Sequence, residues 1–354
     1  MRWGAIWSEA CRNILTGTSR LAIGFLTLTI LSAALSLTDL MAIARLQAQA
    51  AAYVGAQAAT RVLATKGGID PLACDRLATV STVDDSGALG ERPPVYLAAM
   101  PQVALQAWNV SPGLAGVIGV TMPQAGGVWM ERQLAQVLGA QVGDRLPTPQ
   151  GVLVVGAIFE WPQDGRDQRL SFSILIPQVT AEPLDECWLK AWPVVDGNDL
   201  LLRSAMGAEA GSGYLPIGRV NASLGMTLDS AELFRLRLTR NAPLLLLAIG
   251  LALGYAMSGA RRLEYASAQH IGQRKPDQMM GCAIETCAWA ATAAAVTTLT
   301  LWVVTRVANL TDPASLMAIV ARGPVIAAAG AMIGSLVACA LVRESRLFRL
   351  FKAH

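Results

Sequence analysis

The apolar residues of this chain fall into four blocks separated by more polar sequence. Residues 21–43 carry no basic side chain and one acid, Asp39. Residues 242–260 carry no charge, residues 282–305 carry Glu285 alone, and residues 325–342 carry none. Each block runs for about 18 to 24 residues, enough to cross a hydrocarbon core of about 30 Å as a helix. The pattern predicts transmembrane helices over 21–45, 241–260, 282–305 and 324–342, with a short external loop at 306–323. A cleaved signal peptide is the competing reading of the first block, since Ala48, Gln49 and Ala50 resemble a cleavage site. Twenty residues precede that block and it exceeds a typical signal core, which favours a retained span.

Outside the blocks the periodicity changes. Residues 1–20 place Trp3, Ile6, Trp7, Ala10 and Ile14 on one helical face, with Arg2, Glu9, Arg12 and Asn13 mostly elsewhere. Such a helix suits the inner headgroup layer or a packing partner on the cytoplasmic side. The alanine-rich stretch 47–65 continues the first span as a helical stalk. Beyond Gly67, short apolar runs divided by Gly, Pro and Asp predict strands at 94–100, 151–161 and 170–177. Residues 126–140 read as a strand end entering a helix, and 229–243 as a second stalk. The chain is thus expected to be a membrane α-helical protein of four spans. A mixed α/β extracytoplasmic domain, 46–240, is inserted between the first and second.

The segment RRLEYASAQHIGQRKPDQMMGCAIE, residues 261–285, is charged and short. Within its loop, 261–281, residues 262–271 suit a helix with Leu263, Ala266, Ser267 and His270 on one face. Gly272 follows where a left-handed residue closes a helix. Gln273, Arg274 and Lys275 make a basic turn. Pro276 then occupies the expected first helical position, where its missing N–H costs nothing, and Asp277 favours the positive helix end. The expected product is a rigid knob able to transmit force to something beneath the membrane.

Composition agrees with the blocks. Of 354 residues 53% are hydrophobic and 15% charged, against about one quarter charged in a typical soluble protein. Basic residues set the orientation. Arg2, Arg12, Arg20, Arg261, Arg262, Arg274, Lys275, Arg343, Arg346, Arg349 and Lys352 lie on one side; Arg306 and Arg322 occupy the short loop opposite. Positive-inside then predicts both termini in the cytoplasm, including the tail 343–354, in a multi-pass protein of a bacterial cytoplasmic membrane. Residues 46–240 hold fourteen basic and eighteen acidic residues, no platform for nucleic acid.

Two of the six cysteines, Cys74 and Cys187, fall in the external segment, where one bridge is expected; two buried thiols are the alternative. No Cys-x-x-Cys spacing suggests a metal. A phosphate loop of the Gly-x-x-x-x-Gly-Lys-Ser/Thr type is absent, and the two histidines, His270 and His354, are both on the cytoplasmic side. Asp84 and Asp85 read as a solvated turn. The chain by itself is not expected to be an enzyme. Trp108, Trp129, Trp161, Trp188 and Trp192 suit core packing better than a ligand groove. Gly250 and Gly254, and Gly330 and Gly334, give the second and fourth spans small-residue faces where helices approach closely, a pattern that also fits a dimeric permease. Glu285 is an intramembrane acid, which makes it a functional candidate, although it lies near enough to the end of its span to reach water. His270 could titrate near neutral pH or simply pack.

The loop spacing Glu264, Gly272, Asp277 and Glu285 resembles the permease subunits of MacB/FtsX-like, or type VII, ABC transporters. VWMERQLAQVLGAQVGDRL followed by GVLVVGAIFE is similar to that family's outer-domain helix and strand pair. The order of one span, a large outer domain and three spans also matches; Ser267 departs, standing where many members carry a basic residue. The resemblance implies a loop helix that docks on a cytoplasmic ABC ATPase through Arg261, Arg262, Glu264, His270, Gly272, Arg274, Lys275 and Asp277. It implies ATP-Mg in that partner and no cofactor in this chain. It further implies a second permease subunit, identical or different, and mechanotransmission to an extracytoplasmic domain for export or extraction of a lipid, peptide or drug. An FtsX-like regulator of a cell-wall hydrolase or sensor, engaging an extracytoplasmic partner, is the alternative; a receptor without an ATPase is a third reading.

Overall fold

The computed structural model describes residues 3–16, 20–121, 123, 126–195, 197–207, 215–225, 227–310 and 312–343. Arg2, Arg346, Arg349, Lys352 and His354 lie outside them. The chain sorts into two units, Gln49–Asp229 and a second built from Met1–Ala48 with Ser230–His354.

The first unit holds a mixed sheet of nine strands among the described residues. They are β1 (Thr60–Ile69), β2 (Asp85–Leu97), β3 (Met100–Val110), β4 (Val128–Glu131), β5 (Arg145–Thr148), β6 (Gly151–Phe159), β7 (Ser173–Pro177), β8 (Leu184–Lys190) and β9 (Ile217–Arg219). Their spatial order is β5-β6-β4-β7-β3-β2-β8-β1-β9. The β3–β7 and β4–β6 pairs are parallel and the remaining neighbours antiparallel.

Successive strand residues point to opposite faces, so each strand feeds two cores. Trp108, Trp129, Leu175 and Trp188 join one cluster. Their neighbours Ala107, Met130, Ile174 and Cys187 lie in the clusters on the other face. Trp161 completes the aromatic side, while half-buried Trp192 stacks on Tyr53 at 5.6 Å between centroids. The five tryptophans are therefore core and packing residues. Short helices cover the sheet: α3 (Pro71–Arg76), α4 (Leu114–Ile118), α5 (Arg132–Leu138) and α6 (Gly197–Arg203). Cys74 of α3 is disulfide-bonded to Cys187 of β8, with 5.9 Å between their Cα atoms.

The second unit contains α1 (Trp3–Leu15), α7 (Ser230–Leu236), α8 (Ala242–Gly259), α9 (Arg262–His270), α10 (Lys275–Val307), α11 (Pro313–Val320) and α12 (Arg322–Leu341). The helix α2 (Leu21–Gly55) begins in it. Among the described residues, four helical stretches are long and apolar enough to cross a membrane: Leu21–Gly55, Leu238–Gly259, Lys275–Val307 and Pro313–Leu341. Ile23, Leu26, Ile30, Leu244, Leu245 and Leu299 remain exposed on them, as lipid-facing side chains would be.

Two stalk expectations need correction. The helix after the first span stops at Gly55, Gln57 turns with φ +60°, and β1 begins at Thr60. Residues 60–65 are strand because they pair with the central strand β8, and that ladder outweighs the local preference of an alanine-rich sequence. The 229–243 stalk breaks at Arg237, whose backbone is extended. Its guanidinium reaches buried Asp39 of α2 at 3.2 Å and stacks over Phe234 at 3.9 Å. A carboxylate so buried requires a cation, and an unbroken helix would not deliver one. The 306–323 loop contains a helix, α11, whose N-terminus Asp312 caps through the Ser315 amide.

The small-residue faces are used inside the chain. A Cβ at Gly250 would meet the Ala327 carbonyl oxygen at 2.1 Å, and one at Gly254 the Ala331 oxygen at 2.0 Å. Reciprocally, a Cβ at Gly330 would meet the Leu247 carbonyl oxygen at 2.6 Å, and one at Gly334 the Leu251 oxygen at 2.1 Å. These glycines bring α8 and α12 backbone to backbone, the close helix approach that small-residue faces allow. Between α2 and α10, by contrast, a hydroxyl pair, Ser32 and Thr297, bridges at 2.9 Å inside the bundle.

Candidate coupling site

The 261–285 segment folds as a closed helical hairpin. α9 ends in a Schellman motif: the Gly272 amide donates to the Gln269 carbonyl and the Gln273 amide to the Ala268 carbonyl, each at 3.0 Å. Gly272 takes φ +99°, a conformation a β-branched residue rarely adopts. Arg274 is the extended residue before α10, and Pro276 and Asp277 sit in the first turn. Two glutamines fix the angle between the helices. Gln278 donates to the Tyr265 carbonyl at 2.9 Å, and Gln269 donates to the Gln278 side-chain oxygen at 2.7 Å. Lys275 donates to the Ala340 carbonyl at 3.0 Å, satisfying an orphan acceptor at the end of α12.

Beneath the hairpin lies a polar cluster. Glu285, only 7% exposed, accepts from the Asn13 amide of α1 at 2.8 Å and is ion-paired with Arg261. The same guanidinium donates to Glu264 at 2.8 Å and lies over the Tyr265 ring at 5.3 Å. A cavity of about 130 Å³ borders these groups, bounded also by Glu9, Gln273 and Asp277. Burial works to lower the Arg261 proton affinity, but Tyr265, Glu285 and Glu264 outweigh it and hold the group above the ordinary arginine value. Burial pushes the Tyr265 phenol well above its usual range.

The expected site residues divide into two sets. Arg261, Glu264 and Glu285 are brought together, and Arg261 faces inward with its side chain 11% exposed. Arg262, His270, Gly272, Arg274 and Lys275 are exposed, and Asp277 is half-buried. The exposed set surrounds the knob, whereas Arg261 holds its base. Glu285 does not simply reach water; it is buried, ion-paired with Arg261 and hydrogen-bonded by Asn13. Asn13, Tyr265 and Gln278 were missed by the sequence reading. Asn13 lies 272 residues from Glu285, and no local pattern joins them. A buried acid in a span does, however, signal that a partner exists.

No family model matches the chain, and no curated protein does. Among solved structures, the chain is similar to the periplasmic region of MacB from Actinobacillus actinomycetemcomitans. The identity is 10% and the TM-score 0.32, over 41% of this chain and 81% of that one. A domain of a protein described as a permease from Porphyromonas gingivalis gives 12% identity and a TM-score of 0.31, over 50% and 95% of the two chains. The extracellular domain of the noncanonic ABC-type transporter YknZ from Gram-positive bacteria gives 9% and 0.29, over 40% and 88%.

Proposed function

We propose that the chain is the permease subunit of an ATP-driven transporter and works by mechanotransmission. The observation that carries the reading is the locked hairpin α9–Gly272–α10, whose exposed His270, Arg274 and Lys275 stand at the end of a four-span bundle. A partner that moves the knob moves α10 with it, because the Schellman turn and the two glutamine contacts leave no slack between them. The Arg261–Glu285 pair extends this coupling into α10, and Asn13 extends it to α1. Positive-inside places the knob in the cytoplasm, where an ABC ATPase with ATP-Mg supplies the work. A second permease subunit completes the assembly, and the sheet domain moves outside, exporting or extracting a lipid, peptide or drug.

Affinity purification in mild detergent tests the reading directly, since an ABC ATPase is expected to copurify. Gly272→Val should leave membrane levels normal while weakening that association and removing stimulation of ATP hydrolysis. Glu264→Lys should act in the same direction. Wild-type association in both variants would reduce the segment to a linker. Topology has its own check: Gln163→Cys should be labelled from outside intact cells and Arg274→Cys should not.

A further inference from the structure

At the foot of the bundle, the ends of α8 and α12 flank an open hollow of about 480 Å³. Three small residues, Ala256, Gly259 and Ala338, form it, because none carries a side chain long enough to fill it. Tyr255 and Leu341, both largely exposed, flank these small residues. Arg262 and Arg343 also line the hollow, and both are exposed. Among the described residues neither arginine is ion-paired. An apolar slot beneath two unpaired guanidinium groups, at the end of membrane-length helices, combines two binding chemistries in one place.

We infer that this hollow binds an anionic phospholipid, with its phosphate on Arg262 and Arg343 and an acyl chain along Ala256, Gly259, Ala338 and Leu341. Guanidinium forks match phosphate oxygens, and basic pockets between spans suit anionic headgroups. Tyr255 fits the same depth, its ring apolar and its hydroxyl polar, as aromatic residues at membrane interfaces do. A second copy of the chain fits poorly. A twofold contact would set the Arg262 and Arg343 pair against its own image, like charge on like. A soluble anion would use the arginines but gain nothing from the apolar floor. The inference rests on the four-span reading and is independent of any ATPase.

Native mass spectrometry of the purified full-length chain in mild detergent provides the test, with dioleoylphosphatidylglycerol and dioleoylphosphatidylcholine as probes. Two arginines should give the anionic lipid a preference of about thirtyfold. Arg262→Gln with Arg343→Gln should bring that preference to about one, by the same reasoning. Gly259→Leu should prevent retention of both lipids with the arginines intact. Its Cβ meets nothing within 4 Å, so the fold has room for the change. Equal retention of the two lipids by the unaltered chain overturns the inference, as does an unchanged preference in either variant. Displacement of the phosphatidylglycerol by inorganic phosphate would assign the arginines to a soluble anion. A dimer that the Gly259→Leu variant dissociates would assign the hollow to a subunit contact. Stronger lipid retention after removal of residues 344–354 would make the chain's own tail the occupant. ATPase copurification plays no part in these readouts, so failure of the transporter reading would leave them standing.

Discussion

The two units of this chain solve the same problem with opposite materials. In the sheet unit, bulk is buried: Trp129 and Trp188 are at most 2% exposed, and a disulfide joins α3 to β8 across 113 residues of sequence. In the helical unit, where Trp289 is also buried, glycines let α8 and α12 touch through their backbones. Water explains the difference. A domain in water gains from removing large apolar side chains from solvent, about 25 cal/mol for each Å² buried. Helices among lipid tails gain nothing that way, so close approach and a few polar links hold them instead. Ser32 with Thr297, Asp39 with Arg237, and Glu285 with Arg261 and Asn13 are among those links.

The contrast breaks most visibly at the disulfide. Cys74→Ser should cost the sheet unit about 4 to 5 kcal/mol, since the bridge closes a loop of over a hundred residues in the unfolded chain. Thermal unfolding of that unit should shift down while helix content stays. In the unaltered protein, denaturation without reductant should leave both thiols unlabelled, and reaction at either would show that no bridge forms.

Next in size is the buried pair of the helical unit. Arg261→Met leaves Glu285 without its cation, which should cost about 3 to 5 kcal/mol. Arg261→Met with Glu285→Gln should recover much of the loss, because no charge is then stranded. A double variant no more stable than the single one would mean that the pair does not hold the base of the knob.

Gly254→Ala sharpens the comparison with a single methyl group. Its Cβ would sit 2.0 Å from the Ala331 carbonyl oxygen, so α8 and α12 must separate. Overpacking of this kind costs about 1 to 3 kcal/mol, measurable as a lower melting temperature in detergent. An unchanged melting temperature would refute the backbone contact. The smallest effect belongs to the exposed knob: Arg274→Gln should alter stability by less than about 0.5 kcal/mol while weakening ATPase association. Stability falling with association would place Arg274 in the fold rather than on the docking face.

Much of this was legible before any coordinate was known, and for one reason: the signals were local. A run of about twenty apolar residues has no soluble alternative, so the four helices follow from length and composition. Gly272 followed from the turn that must separate α9 from α10, because a helix end needs a left-handed residue within one step of its last turn. The strand at 60–65, the break at Arg237 and the partners of Glu285 were decided elsewhere. β1 exists because β8 lies beside it, Arg237 turns because Asp39 is buried, and Asn13 reaches Glu285 because α1 folds back on α10. The glycine pairs show the division most plainly. The sequence determined that two helices could approach closely at Gly250, Gly254, Gly330 and Gly334, since a missing side chain is visible in the sequence. Only the tertiary structure decided that they approach each other, because the identity of the neighbour depends on which backbone arrives at that surface.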